Sequence, residues 1–340
     1  MSRKVKMCTL VLCAALLLVC SFSPIALHAQ KQKVIGVAHW WIGNDWNIYL
    51  WKGISETLEA KGYKVLQFNA QGISTNQVAG LENFITRKVD GAIIAGGEGQ
   101  SMRDVSLKFD KAKIPLVAVD MVLPGGVAFT ASNNWEGGAK MGMFIVNQLH
   151  GKGKVLILNL PSWDTIRQRA EAAQLVLKEF PDIKVVAEHE VGGNEPIENA
   201  KNITKATIRA HPDLKGIIAT WGLPGVGAAQ GVMEMGKQKQ ISVATCDSDR
   251  PIVELMADPK APPFMTYGQD SLSLGKIAAD LIDRAIQIGD VAKAKESLPV
   301  LTFGPTLFIG NAGLEEASIV EIWTAEEAWA KMYSDQKRPW

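Results

Sequence analysis

Short apolar runs alternate with amphipathic stretches along almost the whole chain. The runs predict strands at residues 34–38, 64–69, 92–95, 116–120, 127–130, 154–159, 184–190, 216–220, 241–247 and 264–268, with 300–309 extended as well. Most are continuous Val, Ile and Leu segments, not period-two alternations, which is how strands covered on both faces read. The stretches between them carry the helical period. Over 47–61, Ile48, Trp51, Ile54 and Leu58 share one face and Gly62 supplies the stop. Over 76–88, Val78, Leu81 and Ile85 do the same. Pro251 suits the first turn of a helix, and Thr324 with Glu327 forms a capping box opening a last helix through about Tyr333. Strands separated by helices imply βαβ crossovers and parallel sheets, so the fold class is α/β. This many strands are divided more readily between two doubly wound lobes than packed into one open sheet. No linker rich in Pro, Gly or Ser separates the lobes, so several short strand-like crossings join them.

The first 29 residues stand outside this pattern. Arg3, Lys4 and Lys6 precede an apolar run at 10–19, too short to span a bilayer, and Pro24 and Ala29 complete a secretory leader cut after Ala29. Cys20 raises a lipid-anchor alternative, but Val19 stands where that signal needs a small residue. Loss of the leader turns a formal charge of +1, from 36 basic and 35 acidic residues, into a slight acidic excess. It also removes Cys8, Cys13 and Cys20, so Cys246 stands alone and neither an internal disulfide nor a cysteine-held zinc site is expected. A near-neutral chain without a basic stripe offers nucleic acid no electrostatic footing.

Catalytic machinery is sparse. His39, His150, His189 and His211 are scattered, and neither a Gly-x-Ser-x-Gly elbow nor a Walker loop occurs. His39 ends a strand beside tryptophans and either touches a ligand or simply closes the strand. Gly225, Gly227 and Gly231 superficially match a dinucleotide fingerprint with Asp247 downstream. Trp221–Pro224 intervene after the strand, however, so these glycines read as the start of a helix packed on its sheet. No cofactor and no metal are expected.

The polar residues with the best chemistry lie at strand ends. Asp120 and Asp247 can each accept two hydrogen bonds from hydroxyls of a polyol. The planar fork of Arg169 can donate to two ligand oxygens. Gln269 can donate and accept, and Ser132, Asn133 and Asn134 follow a strand. Of the ten tryptophans, Trp40, Trp41, Trp46, Trp135, Trp163 and Trp221 fall in or beside strand-end loops. Any one of them serves packing as readily as ligand contact, but six together favour an aromatic-lined cleft, because a flat ring covers the C–H face of a sugar.

In this order, these positions resemble the type I periplasmic sugar-binding proteins, the ribose-binding-protein group of ABC-importer receptors. The resemblance runs over 33–312. It is carried by strand 34–38 with Asn44-Asp45-Trp46-Asn47 and Gly53, by Lys61-Gly62-Tyr63, by the run from Ile114 to Asp120, and by Ser132-Asn133-Asn134 before Gly137-Gly138. It continues through Arg167-Gln168-Arg169, Ala210-His211-Pro212-Asp213, strand 243–247 and Gln269. The resemblance implies a two-lobed fold with a ligand cleft between the lobes: 30–131 plus 270–300 as lobe one, 132–269 plus 301–312 as lobe two, and 313–340 as an extension. It implies a ligand site of Asn44, Trp46, Asn47, Asp120, Ser132, Arg169, Trp221, Asp247 and Gln269, with Trp40 and Trp41 open between ring contact and lobe packing. Asn44 and Asn47 are expected to hydrogen-bond the ligand, and Trp46 to stack on it. It further implies a monomeric, non-enzymatic periplasmic receptor that binds a small sugar or polyol and delivers it to an inner-membrane ABC permease. A sensing subunit for a kinase or chemoreceptor is the alternative. Met121 stands where the family commonly has an arginine, and Trp221-Gly222 where it has Asn-Asp. Both departures ask for fewer hydroxyls, or for a ligand with an apolar or cationic part.

Overall fold

The computed structural model describes residues 32–310 and 321–322. The expected leader, the helix at 324–333 and most of the extension at 313–340 lie outside the described residues. Two sheets carry the fold. The first contains β1 (Val34–His39), β2 (Lys64–Asn69), β3 (Gly91–Ala95), β4 (Leu116–Val119), β5 (Ala128–Ala131) and β11 (Leu301–Phe303). The second contains β6 (Gly153–Asn159), β7 (Ile183–Glu190), β8 (Leu214–Ala219), β9 (Ser242–Cys246), β10 (Phe264–Gln269), β12 (Thr306–Gly310) and β13 (Glu321–Ile322).

The strand orders are β11-β5-β4-β3-β1-β2 and β13-β12-β10-β9-β8-β6-β7. Each sheet reverses direction of growth once, between β1 and β3 and between β6 and β8, and all pairings are parallel except that of β10 with β12. Such a switch point leaves a crevice beyond the carboxyl ends of the strands, where ligands of open α/β sheets bind. The chain therefore builds the same crevice twice and turns the two toward each other.

The helices are α1 (Asp45–Ala60), α2 (Ser74–Thr86), α3 (Gly99–Lys111), α4 (Asn134–Gln148), α5 (Asp164–Lys178), α6 (Pro196–Ala210), α7 (Gly222–Glu234), α8 (Arg250–Ala257), α9 (Ser271–Ile288) and α10 (Val291–Ser297). The buried stripe of α1 runs through Trp46, Leu50, Gly53, Ile54 and Leu58, not through Ile48, which is 47% exposed. The stripe is rotated because α1 crosses α9 at very short range. A Cβ on Gly53 would stand 2.2 Å from the Leu272 carbonyl oxygen, and one on Gly275 2.3 Å from that of Leu50. The glycines of α7 act likewise. A Cβ at Gly225 would meet Thr245 Oγ1 at 2.1 Å and one at Gly227 the Ile197 carbonyl oxygen at 2.2 Å, so they are packing glycines, in keeping with the sequence reading.

The chain passes between the sheets after β5, after β10 and between β11 and β12. The extended segment 300–309 is thus two strands in different sheets. Leu301–Phe303 pairs with β5 of the first sheet, not with lobe two as expected for 301–312, and the crossing falls at Gly304-Pro305. Pro305 lacks the N–H that a continued ladder needs. Among the described residues, no helix is long and apolar enough to cross a membrane.

Candidate functional site

The carboxyl ends of both sheets line one cleft of about 790 Å³. The segments after β1, β2, β3 and β4 form one wall, and those after β6, β7, β8 and β9, with Gln269 at the end of β10, form the other.

Asp120 and Asp247 stand one residue beyond β4 and β9, and both adopt left-handed backbone, with φ of 63° and 73°. A non-glycine residue there is uncommon, though Asp tolerates it, and such positions gather at ligand clamps. The turn swings each carboxylate off its sheet and into the cleft. Asp247 is well partnered: Oδ2 accepts from the Gly222 N–H at the start of α7 (2.9 Å), and Oδ1 accepts from the Gln269 side-chain amide. Asp120 is not. Its Oδ1 is buried without a partner among the described residues. Burial, with the Asp247 charge adding to it and Arg169 opposing it, pushes the Asp120 carboxyl up to about 6. Arg169 is only 2% exposed. Its fork is oriented by Asn134 Oδ1 (2.7 Å from Nε) and the Thr220 carbonyl (3.0 Å from Nη1). The cleft floor is therefore two carboxylates on opposite walls with a fixed guanidinium between them in charge, and one carboxylate oxygen lacks a donor.

Indoles form the sides. Trp40 and Trp163 meet edge to face, with centroids 5.3 Å apart. Trp221 is half-buried, held by its Nε1–H on the Val191 carbonyl (3.2 Å). Trp41 is exposed and folds over Gly43, where a Cβ would stand 1.9 Å from its ring. Trp46, expected to stack on a ligand, is 9% exposed and packs in the first-sheet core with Leu50 and Leu274. It still lines the cleft, and its Nε1–H is buried without a partner among the described residues.

Asn44 and Asn47 line the cleft, but Asn44 is already engaged. Its Oδ1 accepts from the Asn47 backbone N–H (3.3 Å) and from the Asn47 amide, and its Nδ2 donates to Asp249 Oδ2 (2.9 Å). Its first task is to cap α1 and bridge to the segment after β9. The other sequence-designated residues, Asp120, Arg169, Trp221, Asp247 and Gln269, all reach the cleft. Ser132 does not. It is 0% exposed, its Oγ lacks a partner among the described residues, and it borders a separate pocket of about 240 Å³ that shares Asp120 with the cleft. The displacement follows from geometry, since Ser132 directly continues β5 where the chain leaves one sheet for the other. His39 is also off the cleft. It is buried with neither ring nitrogen bonded among the described residues, lies edge-on to Trp51 at 5.3 Å, and burial lowers it to about 4.

Glu98, Thr165, Glu190 and Leu223 line the cleft without having been singled out, and Asp249 supports the wall from behind. Each follows a strand or opens a helix, but an acidic residue there reads equally well as a local cap. Among the described residues, no group of three or more His, Cys, Asp or Glu could hold a metal ion.

A family model described as a periplasmic binding protein domain matches residues 35–290. The ribose import binding protein RbsB of Bacillus subtilis (strain 168) is 24% identical over 259 residues, covering 75% of this chain and 82% of that protein. An ABC sugar transporter subunit from Rhodobacter sphaeroides 2.4.1 superposes with a TM-score of 0.77 at 27% identity, over 82% of this chain and 98% of that one. An ABC transporter solute-binding protein from Agrobacterium vitis, solved with bound allitol, shares the fold. Its TM-score is 0.76 at 22% identity, over 82% of this chain and 95% of that one.

Proposed function

The chain belongs to the periplasmic binding protein family, and from that premise we propose that it is an exported receptor for a small sugar or polyol-like ligand, closing over it by hinge motion and delivering it to an ABC import permease. The observation that carries the reading is the pairing of Asp120 and Asp247 on opposite walls, with Asp120 Oδ1 buried and lacking a donor. A polyol supplies several hydroxyl donors at once, and only a ligand that satisfies both walls favours the closed form over the open one. Its C–H faces suit Trp40, Trp163 and Trp221. Arg169 and Gln269 complete the polar lining, and no step of bond making is assigned to any of them.

The crossings after β5, after β10 and at Gly304-Pro305 are the proposed hinge, dividing the described chain into 32–131 with 270–303 and 132–269 with 304–310. The leader at 1–29 directs export to the periplasm, and the receptor acts there as a monomer. Isothermal titration against pentoses, hexoses and their alditols, D-ribose and allitol included, tests the ligand class. Binding of none of them, with the protein folded, would overturn it. Affinity capture from membranes tests the partner. Recovery of a permease supports the importer, whereas recovery of a histidine kinase without a permease replaces it with a ligand sensor.

A further inference from the structure

Asp249 opens α8 and is placed to cap it, yet its side chain makes no capping bond to its own helix. It reaches instead to the other wall of the cleft. Its Oδ1 accepts the Trp46 backbone N–H in the first turn of α1 (2.9 Å), and its Oδ2 accepts the Asn44 amide (2.9 Å). The exchange is returned. Asp45, the first residue of α1, accepts the Arg250 backbone N–H at the start of α8 on its Oδ2 (2.7 Å). Asp249 is 2% exposed in this arrangement.

We propose that Asp45 and Asp249 form a reciprocal latch, each carboxylate capping the first turn of the helix that belongs to the opposite lobe, and that Asp249 thereby positions Asn44 and Trp46 on the cleft wall. The physics makes this a two-position element. A carboxyl oxygen at a helix N-terminus satisfies an orphan N–H whether or not the group is ionised, and an ionised one gains from the helix dipole as well. Separation of the lobes breaks both caps and returns each N–H and each carboxylate to water. Partners are exchanged and not lost, so the difference between the two positions is small enough for a ligand to decide. Because Asn44 bonds both Asn47 and Asp249, the wall that meets a ligand is also the wall that senses closure.

The latch rests on the hinge-closure reading, and its test needs no ligand. Amide hydrogen exchange at Trp46 and Arg250 is followed in the full chain and in Asp45→Ala and Asp249→Ala. A latch couples the two amides: each substitution speeds exchange at both by on the order of tenfold or more, including the amide whose own acceptor is intact. Ordinary capping would speed only the amide that lost its acceptor, and that result overturns the latch. So does wild-type protein in which neither amide is protected. Asp249→Asn keeps an acceptor for the Trp46 N–H, and its retention of protection separates loss of the cap from general misfolding. Uncoupled amides in a chain that binds a sugar remove the latch and leave the receptor. Coupled amides in a chain that binds none do the reverse.

Discussion

Trp40 and Trp163 touch edge to face across the cleft, their planes at 85° and their centroids 5.3 Å apart. Trp40 follows β1 of the first sheet and Trp163 precedes α5 on the second. The contact exists only while the two walls are this close, so the pair reports closure from within the site.

Under the proposed hinge closure, intrinsic emission follows the hinge. Ligand addition is expected to change tryptophan fluorescence in the wild type, and the change should fall by at least half in Trp163→Phe, which keeps a ring but removes one indole of the pair. An undiminished change in that variant, with binding intact by calorimetry, would show that the signal arises elsewhere.

Asp120 makes a sharper test, because stability and binding move in opposite directions. Its carboxyl is raised to about 6 by burial. A carboxylate whose folded value is raised stabilises the fold only at low pH and costs free energy once it must ionise. Asp120→Asn removes that cost, about 3 kcal/mol at most for a shift of this size. The variant should melt no lower than wild type at pH 7.5 and bind its ligand about tenfold to a hundredfold more weakly. A lower melting temperature with unchanged affinity would sink the assignment.

Much of this was legible before any coordinates. The continuous apolar runs marked buried parallel strands, and the residues just past them, Asp120, Trp221, Asp247 and Gln269, line the cleft because strand ends are where doubly wound sheets bind. What escaped depended on distance in three dimensions. Asp249 stands where its own helix would take a cap, and only the approach of the two lobes turns it toward Trp46, 203 residues away in sequence. The buried face of α1 was misphased because periodicity cannot see that Gly53 lies against Gly275 of another helix. Segment 300–309 reads as extended throughout, and the pattern does not show that the chain changes sheets at Gly304-Pro305.

The glycine crossing of α1 and α9 predicts a stability defect without a direct loss of chemistry. Gly53→Ala would set a Cβ 2.2 Å from a carbonyl oxygen of the facing helix, which only backbone displacement can relieve. About 1–3 kcal/mol is expected, against the slight gain that Ala brings to an unhindered helix. Urea unfolding of Gly53→Ala and Gly275→Ala should show lowered midpoints. An unchanged midpoint would mean the helices pack less closely than described.

The last prediction concerns pH and follows from Asp249. Burial, with Asp247 and Asp45 adding to it and the Trp46 N–H and Asn44 amide opposing it, raises its carboxyl to about 8 in the closed arrangement. The nearest cation in sequence, Arg250, is bonded to Glu254 on its own helix (2.7 Å). In the proposed open form Asp249 faces water and returns to an ordinary carboxylate value near 4. A group whose value is raised in one state takes up a proton on entering it, so closure is fully favoured below the ordinary value and progressively lost as pH rises toward 8. Asp120, at about 6, and His39, at about 4, contribute only at lower pH, which leaves the window from about 6.5 to 8 to Asp249. Ligand affinity should fall through that window by up to about tenfold per pH unit and level off above it. Calorimetry in buffers of different ionisation enthalpy should register proton uptake on binding. Asp249→Asn, which cannot titrate, should flatten the profile between pH 6.5 and 8, and a variant that keeps the wild-type slope would place the titrating group elsewhere.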